Sequence, residues 1–192
     1  MESWKKSLAR LRAGNKRFCN QVPPAEVGNL SLHQAQQKPF AAILCCADSR
    51  VAPEIIFHQG LGQLFVVRVA GNVVGPTQAG SLELAVDKFD VPLIVILGHT
   101  DCNAVRAAMS YSGDHDSPTD EILSLIHANL ARNSATDDED AALIANTAHA
   151  AETLLARSSV IREAYSEGRI GLATATYNLA DGIVNFDLRN HS

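Results

Sequence analysis

The sequence predicts an α/β protein: a mostly parallel central sheet flanked by helices, with an N-terminal helical arm and further helices towards the C-terminus. Three observations carry this. Short apolar runs at 40–46, 64–69 and 91–98 read as buried strands. Stretches with apolar residues at helical spacing lie between them. Glycine and proline punctuate the changeovers, as at Gly60, Gly62, Gly75 and Pro76. Strands alternating with helices imply a parallel sheet covered on both faces.

In order, Trp4, Leu8, Leu11 and Phe18 place one apolar stripe on a helix over 2–18. The stretch 21–37, with Pro23, Pro24 and Gly28, reads as loop or arm, so 1–37 form the arm and 38–192 the α/β core of a single domain. Strand 40–46 precedes a short helix opened by Pro53. After the strand at 64–69 comes a loop, Ala70-Gly71-Asn72, and then a helix over 77–89 with Ala79, Leu82, Val86 and Phe89 facing inward. The strand at 91–98 leads into a helix ending near Ser110. Residues 111–120 read as an exposed loop. The acids at 137–140 suit the positive end of a helix dipole, with Leu143, Ile144, Thr147, Ala151, Leu154 and Leu155 turned inward beyond them. Residues 160–167 read as helix, 170–177 as the last main strand, and Asp181-Gly182 as a turn into a short tail strand.

Bulk properties exclude several classes. A net charge of −5 gives no electrostatic pull towards nucleic acid or anionic membrane. The longest apolar runs fall far short of the ~18 residues a membrane span needs. Four cysteines at 19, 45, 46 and 102 make a poor disulfide framework, and no secretory apolar segment opens the sequence. A reducing, cytoplasmic setting follows, although the basic amphipathic start also has the form of a mitochondrial address.

The chemistry concentrates where two buried strands end. Cys46-Ala47-Asp48-Ser49-Arg50 follows the first, and His99-Thr100-Asp101-Cys102 follows the third. Ligands in α/β sheets bind beyond the carboxyl ends of strands. Two thiolates and an imidazole form a soft set suited to zinc, and three protein ligands leave an exchangeable position. Cys46 as a packed small hydrophobe and His99 as a satisfied core histidine stand as the alternative. Asp48 and Arg50 are spaced to pair through a charge-assisted hydrogen bond, leaving the carboxylate either to face a metal-bound water or to take the fourth metal position. Cys45, alternating with Cys46, points into the core. His33, His58, His115, His127, His149 and His191 fall outside these motifs and read as surface or packing histidines, and Cys19 reads as a bystander.

The motif C-x-D-S-R at Cys46–Arg50, followed by H-x-x-C at His99–Cys102, resembles the signature of the β-class carbonic anhydrases. The phrase from Gly62 to Asn72, the helix 80–86 and the run Ile94 to His99 extend the resemblance over nearly the whole chain. The resemblance implies one Zn2+ per chain on Cys46, His99 and Cys102, with Asp48 and Arg50 as a catalytic dyad. It implies a substrate-binding glutamine at Gln37, apolar pocket positions at Phe65 and Val69, and a dimer or tetramer with the pocket between subunits. The N-terminal helix would then wrap the partner, with Gln37 and Phe65 reaching the neighbour's zinc. Members with an allosteric bicarbonate site carry tryptophan where this chain has Ile43, so the non-allosteric, plant-type form is expected.

Two positions depart from the pattern: Leu84 replaces a pocket tyrosine, and Asn103 replaces a glycine after the second zinc cysteine. The expected activity is hydration of CO2 to bicarbonate by a zinc-bound hydroxide. Hydrolysis of carbonyl sulfide or CS2 at the same site is the alternative that Leu84 favours. A catalytically silent zinc-stabilised binding protein is a third reading, against which the intact Asp48 and Arg50 speak. A redox sensor is a fourth, for which no resolving cysteine is evident.

Overall fold

A computed structural model describes residues 2–23, 37–113, 117–132 and 137–188. Its elements are α1 (Trp4–Cys19), β1 (Ala41–Cys45), α2 (Pro53–Ile56), β2 (Leu64–Arg68), α3 (Pro76–Phe89), β3 (Leu93–His99), α4 (Asn103–Met109), α5 (Pro118–Ala131), α6 (Glu139–Arg157), α7 (Ser159–Ser166), β4 (Gly171–Tyr177) and β5 (Val184–Leu188). The strands form one sheet in the order β2-β1-β3-β4-β5. The first four are mutually parallel, and β5 runs antiparallel to β4. The chain leaves β1 for the β2 edge and then crosses back to β3 on the other side. The strand order therefore reverses between β1 and β3, where sheets of this kind open a ligand crevice.

Every residue of β1 and β3 is buried, as expected of parallel strands covered on both faces. Alternate side chains feed two cores. On one face Ala41, Ile43 and Cys45 of β1 join Leu93, Val95 and Leu97 of β3 beneath α1 and α2. On the other, Ala42, Leu44, Ile94 and Ile96 meet Leu82 and Val86 of α3, Leu154 of α6 and Ile161 of α7. A third cluster sits beyond the strand ends, where Cys46 and Cys102 pack with Val105, Ile126, Leu130 and Ala142.

α1 is seated on its own chain's sheet. Leu8 and Leu11 are buried in the first core. Buried Asn15 donates to the carbonyls of Ile56 (3.2 Å) and Gly182 (2.8 Å) and accepts from Val184 N–H (2.9 Å). Within its own chain, α1 thus closes the first core. Most of the remaining arm, 24–36 with His33, lies outside the described residues, as do His115 and His191.

Two expectations are corrected. The loop expected at 111–120 gives way at Pro118 to α5, which carries Ile126 and Leu130 into the third cluster. Ile144, expected inward, is 61% exposed. It stands beside Thr174 and Phe186 in a groove along α6, β4 and β5. Among the described residues, no helix is long and apolar enough to cross a membrane.

Candidate metal centre

Cys46 is the first residue past β1. The chain there is tied to the end of β2, with Val69 N–H donating to Cys45 O (3.1 Å) and Ala47 N–H to Val69 O (3.2 Å). Asp48 then turns the chain: its Oδ1 accepts from Arg50 N–H (2.9 Å), and its carbonyl accepts from Val51 N–H (3.0 Å). Arg68 reaches over from β2 and donates to the carbonyls of Asp48 (2.7 Å) and Cys46 (3.4 Å). His99 ends β3, and Cys102 opens α4 after a tight step at Asp101 (φ 61°), a conformation aspartate tolerates. Thr100 holds this step to β4, donating from N–H to Tyr177 O and accepting from Leu179 N–H, both at 3.0 Å.

These local folds bring three ligand atoms of Cys46, His99 and Cys102 within 4.8 Å of one another, all on buried residues. The two sulfurs are 4.0 Å apart. His99 Nδ1 lies 2.8 Å from the Thr100 carbonyl, which requires the proton on Nδ1 and leaves a lone pair on Nε2. That Nε2 is buried and has no hydrogen-bond partner. An orphaned imidazole lone pair beside two thiols is the donor set a tetrahedral zinc site needs, so these residues fit the ion.

The thiols are polarised as a pair. The Cys46 pKa is lowered, chiefly by the hydrogen bond from Cys102, and the same contact raises that of Cys102. One proton leaves the pair readily and the second is held, so a dication between the sulfurs would displace the second on binding. Gly71 N–H also donates to Cys46 Sγ, at 3.4 Å.

Asp48 is fully engaged by Arg50. Oδ1 receives Nε (3.0 Å) and Oδ2 receives Nη2 (2.8 Å), a bidentate pair that holds the carboxyl well below the usual carboxylate range. Arg50 in turn donates to Asp101 O (3.3 Å). Asp101 is paired with Arg106, which also reaches Glu139 at 2.7 Å.

The family model described as "Carbonic anhydrase" matches residues 41–184. The chain belongs to the β-class carbonic anhydrases. Curated relatives agree. It is 40% identical to "Carbonic anhydrase 2" of Mycobacterium tuberculosis, over 90% of this chain and 87% of that one. It is 38% identical to the carbonic anhydrase of Mycolicibacterium smegmatis, over 94% and 91%. Among solved structures, a Coccomyxa β-carbonic anhydrase in complex with acetazolamide aligns with a TM-score of 0.72 at 23% identity, covering 94% of this chain and 81% of that one. One of two tetrameric β-carbonic anhydrases from Sordaria macrospora gives 0.69 at 23%, covering 95% of each. At these identities the structural likeness speaks to the fold.

The remaining expected residues of this carbonic anhydrase divide into two groups. Val69 packs against the cluster holding Cys46 and Cys102. Asn103 is exposed beside Cys102, with Oδ1 accepting from Arg106 (3.3 Å). Gln37 instead lies ahead of β1, at the opposite end of the strand from Cys46, in a groove with Arg10, Phe40 and Phe89. Phe65 pairs with Ala42 near the start of β2, its ring 5.9 Å from that of Phe89. Leu84 stands 46% exposed on α3. One chain therefore does not gather Gln37 and Phe65 around its own Cys46. Arg68 and the Gly71 N–H are contributors that motif spacing missed. Gly71 was visible in the sequence only as a loop glycine.

Behind the site, Cys45 is wholly buried in the first core, as the strand alternation requires. Burial pushes its thiol from 9.0 up to about 12. A raised folded pKa gives stability that is complete below the unfolded value and lost as pH climbs through the folded one. Wild-type stability should therefore fall between about pH 9 and 12 by ~1.4 kcal/mol per unit more steeply than that of Cys45→Ala. Urea unfolding of both proteins at pH 8, 9, 10 and 11 checks this, and parallel slopes would refute it.

Proposed function

We propose that this single-domain enzyme binds one zinc ion through Cys46, His99 and Cys102 and catalyses CO2 + H2O ⇌ HCO3⁻ + H⁺. The observation that carries the reading is the orphaned, buried Nε2 of His99 facing two paired thiols. Zinc bound there supplies Lewis acidity that makes water a nucleophile near neutral pH. Asp48 would not compete with water for such an ion, because both of its oxygens are turned onto Arg50.

Asp48 acts in this scheme as a hydrogen-bond acceptor that orients the attacking water. Arg50 keeps the carboxylate too weak a base to retain a proton at neutral pH, so the released proton passes on to solvent. Val69 offers an apolar wall on the substrate side, and Asn103 N–H a donor to the substrate oxygens. Gln37, Phe65 and Leu84 complete the pocket from a neighbouring copy in a dimer or tetramer, which accounts for the distance of Gln37 and Phe65 from the cluster within one chain. Four free cysteines suit a reducing, cytoplasmic setting.

Carbonyl sulfide is the second substrate to weigh, because the pocket position at 84 carries an exposed leucine without a hydroxyl. Zinc content by plasma mass spectrometry, with CO2 and carbonyl sulfide turnover on the same preparation, tests both readings. One zinc per chain and faster CO2 turnover are expected, with Leu84→Tyr leaving that order unchanged. A zinc-free chain inert towards CO2 would overturn the proposal. Carbonyl sulfide turnover that dominates and collapses in Leu84→Tyr would move the substrate to the sulfur analogue.

A further inference from the structure

α6 turns a row of small and aliphatic side chains inward: Ala142, Leu143, Ala145, Ala150, Ala151 and Leu154. Asn146 interrupts that row with no exposed surface at all. A buried amide is costly unless every polar atom finds a partner. Here Nδ2 donates to the Gly71 carbonyl at 2.8 Å, and Oδ1 accepts from Asn129 Nδ2 of α5 at 2.9 Å. The carbonyl of Gly71 needs a donor, which fixes the amide's orientation and leaves its oxygen towards Asn129.

Gly71 is also the residue whose N–H points at Cys46 Sγ. It stands at φ 64°, in the left-handed region that disfavours side chains, and a β-carbon added there would press on the end of the Ile126 side chain. Glycine is favoured there, and it is the residue least able to hold its own dihedrals. The following peptide is therefore pinned from outside: Asn146 takes its carbonyl, and Asn72 N–H donates to Val69 O (3.1 Å). With that plane held on one side of Gly71, its N–H has less room to swing away from the sulfur.

We propose that Asn146, braced by Asn129, is a positioning residue for the metal thiolate: through Gly71 it keeps an N–H donor aimed at Cys46 Sγ. This rests on Cys46 being a metal ligand. An N–H bond to a thiolate draws charge from the sulfur and fixes its direction. Partners of this outer kind tune metal retention.

The test uses the intact enzyme loaded with Co2+, which reports thiolate ligation through its sulfur-to-metal charge-transfer band. Four variants are compared with wild type: Asn146→Ala, Asn129→Ala, Leu154→Ala and Cys46→Ala. Leu154 is buried on the same helix but faces the second core, so its loss weakens the fold without reaching Gly71. Asn146→Ala should shift the band and speed cobalt release to a chelator by ~10- to 100-fold. Asn129→Ala should act in the same direction by less, and Leu154→Ala should leave band and release rate at wild-type values. If Asn146→Ala does not fold, the half-buried Asn129→Ala carries the test alone. Wild-type band and release in both asparagine variants would overturn the inference, as would equal acceleration in Leu154→Ala. Failure of the metal site itself reads differently: wild type would then show no charge-transfer band, and Cys46→Ala would match it.

Discussion

A Cys102→Ala enzyme is expected to lose its metal and, with it, CO2 hydration. The two sulfurs stand 4.0 Å apart on residues delivered by different strand–helix junctions, so no nearby group can replace either one. Asp48 cannot serve as a substitute ligand, because both of its oxygens are committed to Arg50. A catalytic metal supplies several kcal/mol of transition-state stabilisation, and each 1.36 kcal/mol is a factor of ten, so the rate should drop ~10³-fold or more. His99→Ala should do the same. Stopped-flow hydration and zinc content measured together check the pair. A metal-free variant that kept its rate would remove zinc from the reaction.

The second large effect lies far from the chemistry. Gly14→Ala should unseat α1, because the added methyl would collide with the backbone carbonyl of Phe57, which has no side-chain freedom to withdraw. Moving the helix weakens the packing of Leu8 and Leu11, each worth about 1.5–3 kcal/mol when fully buried, and strains the hydrogen bonds of Asn15, worth about 1 kcal/mol each. Alanine returns only about 1 kcal/mol of helix propensity. A net loss of about 3 kcal/mol lowers the melting temperature of a chain this size by about 6–12 °C. Calorimetry decides it, with hydration at 20 °C expected to remain near wild type. A melting temperature at or above wild type would show that α1 is not held against Phe57.

The strands were readable because a strand covered on both faces needs an unbroken apolar run, and Ile43-Leu44 and Ile94–Leu97 leave no other reading. Cys46, Asp48, Arg50, His99 and Cys102 were readable because their spacing survives in any parallel sheet that ends both strands side by side. The start of α5 was missed because Gly113, Pro118 and the acids around them looked like loop chemistry. Asp120 is in fact a cap, accepting from the N–H and hydroxyl of Ser117, each at 2.9 Å. Gln37 was tied to the chemistry by motif position, and in the structure the whole of β1 separates it from Cys46 of its own chain. Residue spacing carries no label for which copy a residue serves, and only the family resemblance pointed Gln37 and Phe65 towards a neighbouring subunit. Asn146 was invisible for a different reason: a lone polar residue in a helix reads as surface until the packing shows it faces inward.

The two metal-facing junctions hang from β1 and β3, the innermost neighbours of the sheet, with neither strand at an edge. Interior strands are the last part of a domain to open. The three candidate ligands are therefore expected to be brought together as the polypeptide collapses. On the proposed reading, metallation would then be a capture event on a finished scaffold, with a stripped molecule expected to reload without refolding.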